Sequence, residues 1–485
     1  MGCERATWWP YVLAVAAALL IGFESSHLYA VVVGLATLLP LFSHVRRVGL
    51  RDAVTEPSAV TIIVGFYVFW FPLRGLVIVA SGYGDVFLSR GAVSSSDLVA
   101  MLLLASGATT ALVESYYFAL GRRVTPEPVD QSSPAAQGVV TLATVLAGIS
   151  LLSLAGVIVE YGGIGGAQSA FLSHSNAAEL QGNTSIPGSA WGIFAVPAVW
   201  GAAYVAVNAG QPKWIRVSFT VAAALLVSAM LVVYGSRLNT LLALMGVWVV
   251  LYYSGRRIPA RLIFAVIVLA VLVSAPIESQ RTAGSAPRIS AIERYSQITG
   301  YGVLDVSLAI RREPQEIRTQ LMQPQRWLDL PAYFVPSFLW HGRPVLTAIR
   351  IAHYTAAALG GVADKFTGLP STYITEAWLI GDWPAALIIS TLFGAFLGWT
   401  RRRLVGAARP SPAAVLTYCF VVTVGWTYYK DGDIVATIVG DTRNAIYLAL
   451  LMFATGVLGR RARPHARRLA QPPESKAWRS SSSTH

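Results

Sequence analysis

Apolar runs of roughly 17–25 residues, repeated along the chain and separated by short clusters of arginine, are the feature that most restricts this sequence. A run of that length is what an α-helix needs to cross about 30 Å of hydrocarbon. We read about twelve such spans, at 8–23, 27–43, 58–80, 97–119, 137–159, 189–209, 217–234, 238–254, 261–276, 376–399, 411–429 and 443–459. Only 13% of the 485 residues are charged and 55% are hydrophobic, whereas a soluble domain carries roughly 25% charged residues. A membrane β-barrel would alternate apolar and polar positions in segments of roughly 10 residues, and no such segments occur. The expected fold is therefore an all-α polytopic membrane protein of about 12 transmembrane helices. The first run starts at Trp8 after one arginine, without a small-residue cleavage site at its end, so it is expected to be a span and not a removed signal. Two cysteines, Cys3 and Cys419, support neither a disulfide framework nor a thiolate metal site.

The arginines give the chain a direction, because short cytoplasmic loops are enriched in Lys and Arg. Arg46, Arg47 and Arg51 follow the second span, Arg122 and Arg123 the fourth, and Lys213 and Arg216 the sixth. Arg256, Arg257 and Arg261 follow the eighth, Arg401, Arg402 and Arg403 the tenth, and Arg460, Arg461, Arg463, Arg467 and Arg468 the twelfth. Every even span ends in a basic cluster, so both termini are expected in the cytoplasm. The net charge of +13 is mostly this sidedness signal; nucleic-acid binding would need a basic soluble domain, and none is readable. The organisation expected is spans 1–9 over 1–277, one long extracytoplasmic loop over 278–375 between spans 9 and 10, spans 10–12 over 376–463, and a disordered cytoplasmic tail over 464–485.

Two places on the expected outer face carry concentrated chemistry. In "YGSRLN", Tyr234 to Asn239, Arg237 sits with Gly235 and Ser236 in a tight turn between spans seven and eight. A basic residue at a span end commonly snorkels to the headgroups; the alternative is that small neighbours and a guanidinium together receive an anionic group. The long 278–375 loop adds Arg281, Arg288, Arg294, Arg311, Arg312, Arg318, Arg326, Arg343, Arg350 and Lys365, interleaved with Trp327, Tyr333, Phe334, Phe338, Trp340 and Tyr354. Arginines suit phosphate and aromatic faces suit pyranose rings; the plainer reading is an amphipathic cap resting on headgroups. Arg74, inside "FWFPLRG" of the third span, is costly in a membrane and implies a partner or ligand, with Glu114 of the fourth span a possible partner. No GxSxG, HExxH or P-loop pattern occurs. A short "DGD" at Asp431 to Asp433 could hold a cation, but reads better as a solvated hairpin tip. No metal site and no cofactor are expected.

Three stretches in order resemble one family. "DLPAYFVPSFLWHGRP", Asp329 to Pro344, is similar to the Pro-x-Phe-Leu-Trp-x-x-Lys/Arg-Pro segment of bacterial oligosaccharide repeat-unit polymerases, the Wzy-type O-antigen and exopolysaccharide polymerases. "LPSTYITEAWLIGDWPAALIISTLFGAFLG", Leu369 to Gly398, resembles that family's Glu-containing, Gly-rich span, and "YGSRLN" its small-residue-plus-arginine turn. The resemblance covers roughly 230 to 400. One departure is Arg343, where the family often has Lys. The pair Arg281 and Arg288 also has family counterparts.

The resemblance implies a cell-envelope enzyme of the bacterial cytoplasmic membrane, working on undecaprenyl-diphosphate-linked oligosaccharide at the outer leaflet. It would transfer the growing chain from its lipid diphosphate to a hydroxyl of an incoming unit. A flippase and a chain-length regulator are the implied partners beside the lipid bilayer. Diphosphate is a good leaving group, so such an enzyme needs cations for its developing charge and a base for the acceptor hydroxyl. Arg237, Arg281, Arg288, Arg343 and Arg74 are the candidates for the first role. Glu376, at the outer mouth of the tenth span, leads for the second, with His341 and His353 as alternatives; the plainer role of Glu376 is a salt bridge to an outer arginine. The nearest rival is an O-antigen ligase-like transferase, with the same donor and another acceptor. A transporter of polysaccharide or lipid-linked sugar is the rival from another class, but such folds show related halves, and no internal repeat is readable here.

Overall fold

The computed structural model of the chain describes residues 34, 36–75, 78, 95–121, 134–173, 186–208, 210–233, 237–256, 258–259, 262, 302–312, 372–407, 410–432 and 434–458. All regular structure among them is helical: α1 (Leu39–Val48), α2 (Leu50–Thr55), α3 (Ala59–Val68) running into a π-helical turn (Phe69–Leu73), α4 (Ser95–Leu120), α5 (Pro134–Glu160), α6 (Ile164–Ser173), α7 (Ile186–Val207), α8 (Lys213–Val232), α9 (Arg237–Tyr253), α10 (Gly302–Arg312), α11 (Tyr373–Val405), α12 (Pro412–Asp431) and α13 (Ile434–Ala454). Among the described residues, four stretches are long and apolar enough to cross a membrane, Ser96–Leu120, Gln137–Glu160, Lys213–Val232 and Tyr373–Val405. The expected first span, the ninth apart from Leu262, and the 464–485 tail lie outside the described residues.

Two groups of helices share α12. In one, α4 packs against α1, α10 and α11; in the other, α7 packs against α5, α8 and α9. α12 touches α11 on one side and α9 on the other, and the buried Cys419 thiol donates to the Gly246 carbonyl across the second contact at 3.5 Å. Within a membrane, helices gain little from apolar burial against one another, so close approach through small residues carries the packing. The α4–α11 seam shows this in "GAFLG", Gly394 to Gly398. A Cβ at Gly394 would lie 2.8 Å from the Leu112 carbonyl carbon, and one at Gly398 would lie 3.0 Å from that of Tyr116. Both glycines therefore let backbone meet backbone.

The third span does not run as one regular helix. Pro72 lacks the N–H for a helical bond and its ring crowds the preceding turn, and the backbone widens into a π turn over Phe69–Leu73. Arg74 follows directly as the cap residue of that turn. At the far side of the sequence, Gly432 closes α12 in the left-handed region (φ 69), its N–H donating to the Tyr428 carbonyl. The central position of "DGD" is thus a helix-ending turn.

Candidate functional site

α11 is not a continuous span. Gly381 (φ −164, ψ 39) and Asp382 (φ 55, ψ −151) leave helical conformation and divide it into an arm, 373–380, and a shaft, 383–405. In a straight helix, Tyr373 and Phe393 would be about 30 Å apart; their ring centroids are 5.4 Å apart. The Tyr373 and Ser390 hydroxyls are likewise hydrogen-bonded at 2.8 Å. The arm therefore folds back antiparallel along the shaft. Pro384, in the first turn of the shaft, disfavours helical backbone at the residue before it, and Asp382 has a backbone conformation that residues other than glycine rarely adopt. The shaft alone, at 23 residues or about 34 Å, still has the length of a span.

This reversal changes the expected position of Glu376. It does not sit at the mouth of the tenth span but on the returning arm, 5% exposed, in the arm's first turn. A carboxylate there faces the positive end of the short helix. Tyr373, at the deep end of the arm, lies among Phe393, Tyr428 and Tyr429, and Tyr429 stacks on Trp70 of the π turn at 6.3 Å. Aromatic packing thus joins arm, shaft, α12 and π turn.

Within the expected 278–375 loop the structure describes α10 and residues 372–375 at the start of the arm, and α10 touches the arm twice. The Thr375 hydroxyl donates to Ser307 at 2.8 Å, and Ser307 donates to the Val303 carbonyl at 2.7 Å. Thr372 completes the line with a 3.3 Å contact to Thr375; because Thr375 has already given its proton, Thr372 is the donor. At the other point the Arg311 guanidinium carbon lies 5.5 Å from the Trp378 ring centroid, while its Nε donates to Asp97 of α4 at 3.3 Å. α10 also packs on the π turn, so it bridges the backbone leading to Arg74 and the arm carrying Glu376. Arg74 is fully buried, and both it and Glu376 are held by interactions. The sequence signals Glu376 and Arg74, and counts Arg311 among the loop cations; Asp97, Ser307, Thr375 and Trp378 are additions that only the fold brings to this place.

Glu114 does not belong here. It lies 17 residues along α4 from Asp97, about 26 Å, and its carboxylate is bonded to Ser43 and Arg47 with Arg46 at 3.6 Å. The expectation that it partners Arg74 is corrected accordingly. That end of the bundle holds a second polar cluster. Arg401, 6% exposed, pairs with Glu56, 4% exposed, and its Nη1 donates to the Tyr116 hydroxyl at 2.8 Å. Nearby, the buried His44 ring bridges Tyr117 (2.7 Å) and Thr61 (3.3 Å). These contacts tie α1, α3, α4 and α11 together at the basic end of the bundle.

Arg237 is the first residue of α9; its side chain lies outside the described set. So do Arg281, Arg288, Arg343, His341 and His353, with the "PSFLWHGRP" segment that contains two of them. Compared with family models, curated proteins and solved structures, the chain has no match in any of the three.

Proposed function

We propose that this protein is a membrane-embedded, metal-independent glycosyltransferase that polymerises undecaprenyl-diphosphate-linked oligosaccharide repeat units on the outer face of the bacterial cytoplasmic membrane. It has about twelve spans in this reading, with both termini cytoplasmic and the Glu376 end of the bundle outside. The observation that carries the proposal is the burial of Glu376 on a folded-back arm, at the end of the bundle opposite Arg46, Arg47 and Arg401. The resemblance of the "YGSRLN", "PSFLWHGRP" and Glu376 stretches to repeat-unit polymerases supports the substrate class.

The reaction follows from the two kinds of group. An acceptor hydroxyl attacks the anomeric carbon of the growing chain; its proton passes to the Glu376 carboxylate as the new C–O bond forms. The bond from the anomeric carbon to the diphosphate oxygen breaks, and the electron pair leaves with the lipid diphosphate. Arg237, Arg74, Arg281, Arg288 and Arg343 are the cations assigned to that developing charge, since a planar guanidinium matches phosphate oxygens in a bidentate fork. Removing a general base lowers turnover by about 10²–10⁴-fold. In membranes of a null strain supplied with lipid-linked repeat units, Glu376→Gln should therefore abolish the ladder of products at parental protein level. A Glu376→Gln protein that polymerises at the parental rate would overturn the assignment.

A further inference from the structure

The two contacts between α10 and the arm are spaced to control orientation. Ser307 and Arg311 are four residues apart on α10, and Thr375 and Trp378 are three apart on the arm; both spacings put the pair on one helix face. Glu376 lies between Thr375 and Trp378 in sequence. Thr372, Thr375 and Ser307 are all fully buried, and their hydroxyls form one satisfied line ending on the Val303 carbonyl. Buried hydroxyls are costly unless bonded, and apolar side chains would have joined these helices without that demand. What the hydroxyl line adds is direction. It fixes the rotation of the arm about its own axis, while Arg311, held by Asp97, fixes its far end against α4. Toward the shaft, the arm is held at its deep end by the Tyr373–Ser390 hydrogen bond and the Tyr373–Phe393 contact and continues through the Gly381–Asp382 reversal; α10 holds the stretch between, where Glu376 lies.

We propose that Ser307, Thr375 and Arg311 are positioning residues, and that α10 is a clamp that sets the depth and direction of the Glu376 carboxylate. This rests on the assignment of Glu376 as the base, so the test has one arm that does not depend on activity. A Glu376→Cys protein is labelled with maleimide in membranes, the labelling of Cys3 and Cys419 being measured on the parent. At a clamped, buried position the reaction should be slow. Ser307→Ala should speed it about tenfold, the shift in a local opening equilibrium when one buried hydrogen bond is lost; Arg311→Gln, which removes a partly exposed ion pair, should speed it by a smaller factor. Ser307→Thr, which keeps the hydroxyl, should return the slow rate. In the Glu376 protein, Ser307→Ala should lower kcat about tenfold with KM unchanged and alter the pH dependence of kcat, with Ser307→Thr restoring both; loss of folded protein alone would lower the apparent kcat but leave its pH dependence unchanged. Labelling that stays at the parental rate in both Ser307→Ala and Arg311→Gln overturns the clamp. Faster labelling with an unchanged kcat overturns it as a positioning device. A parent without polymerase activity would overturn the assignment of Glu376 as base, while the labelling rates would still decide whether α10 holds the arm.

Discussion

Gly398→Ala should weaken the protein more than any other single added methyl group on the α4–α11 seam apart from Gly394→Ala. A Cβ at Gly398 would stand 3.0 Å from the Tyr116 carbonyl carbon, and closer still to its oxygen. Carbon–carbon contacts settle at about 3.5–4.0 Å, so the two helices must separate locally by roughly 1 Å, and backbone cannot rotate aside as a side chain can. Overpacking of this kind costs about 1–3 kcal/mol. Separation also strains the bond one turn on, where Arg401 donates to the Tyr116 hydroxyl at 2.8 Å, which adds about 1 kcal/mol if it is lost. We expect a total near 2–3 kcal/mol. Gly107→Ala is the matched control: its Cβ would meet only the Leu387 side chain, at an ordinary 3.7 Å. Alanine in a helix interior is favoured over glycine by about 0.5–1 kcal/mol, so this change should be neutral or stabilising. Thermal unfolding of the detergent-solubilised protein, followed by loss of the monodisperse peak, should rank Gly398→Ala below the parent and Gly107→Ala at or above it. Equal midpoints for the two alanine variants would refute the backbone-contact argument.

Three further outcomes are expected. Glu56→Gln or Arg401→Met alone should cost about 3–5 kcal/mol, because each leaves a buried charge without its counter-ion; the double change should recover part of this in the same unfolding assay. Arg237→Lys should be nearly as damaging as Arg237→Ala to polymerisation, both by about two to three orders of magnitude per unit of membrane protein, since an ammonium keeps the charge but not the bidentate geometry; a lysine variant at the parental rate would make Arg237 a headgroup anchor. Cysteines placed at Ser285 and Thr367 should react with an impermeant maleimide in intact cells and one at Ser411 should not, and the reverse pattern would invert the proposed orientation.

The helical, apolar character of the chain and the places where its polar punctuation falls were legible before any fold was known. Those are local properties: an apolar run long enough to cross a membrane must satisfy its own backbone bonds, and a helix does so within the segment. Arg74 was also legible, since a guanidinium beside a proline in an apolar run needs a partner wherever the chain folds. The Glu114 expectation failed on geometry already available: Arg74 lies near the end of its span and Glu114 near the end of the next, so an antiparallel pair holds them at opposite ends. The fold-back of α11 was not legible. Glu376 to Ile380 reads as the first turn of a span with Tyr373 to Thr375 in the loop before it, and "IGDWP" is equally consistent with a bend of any angle. The reversal is decided by partners distant in sequence, Ser307 for Thr375 and Tyr429 for Tyr373. The same is true of Gly394 and Gly398, whose meaning depends on the carbonyls of Leu112 and Tyr116 lying opposite. Which way the Glu376 arm points depends on the fold, because that direction is fixed by hydroxyl and aromatic contacts between segments that no spacing along one of them encodes.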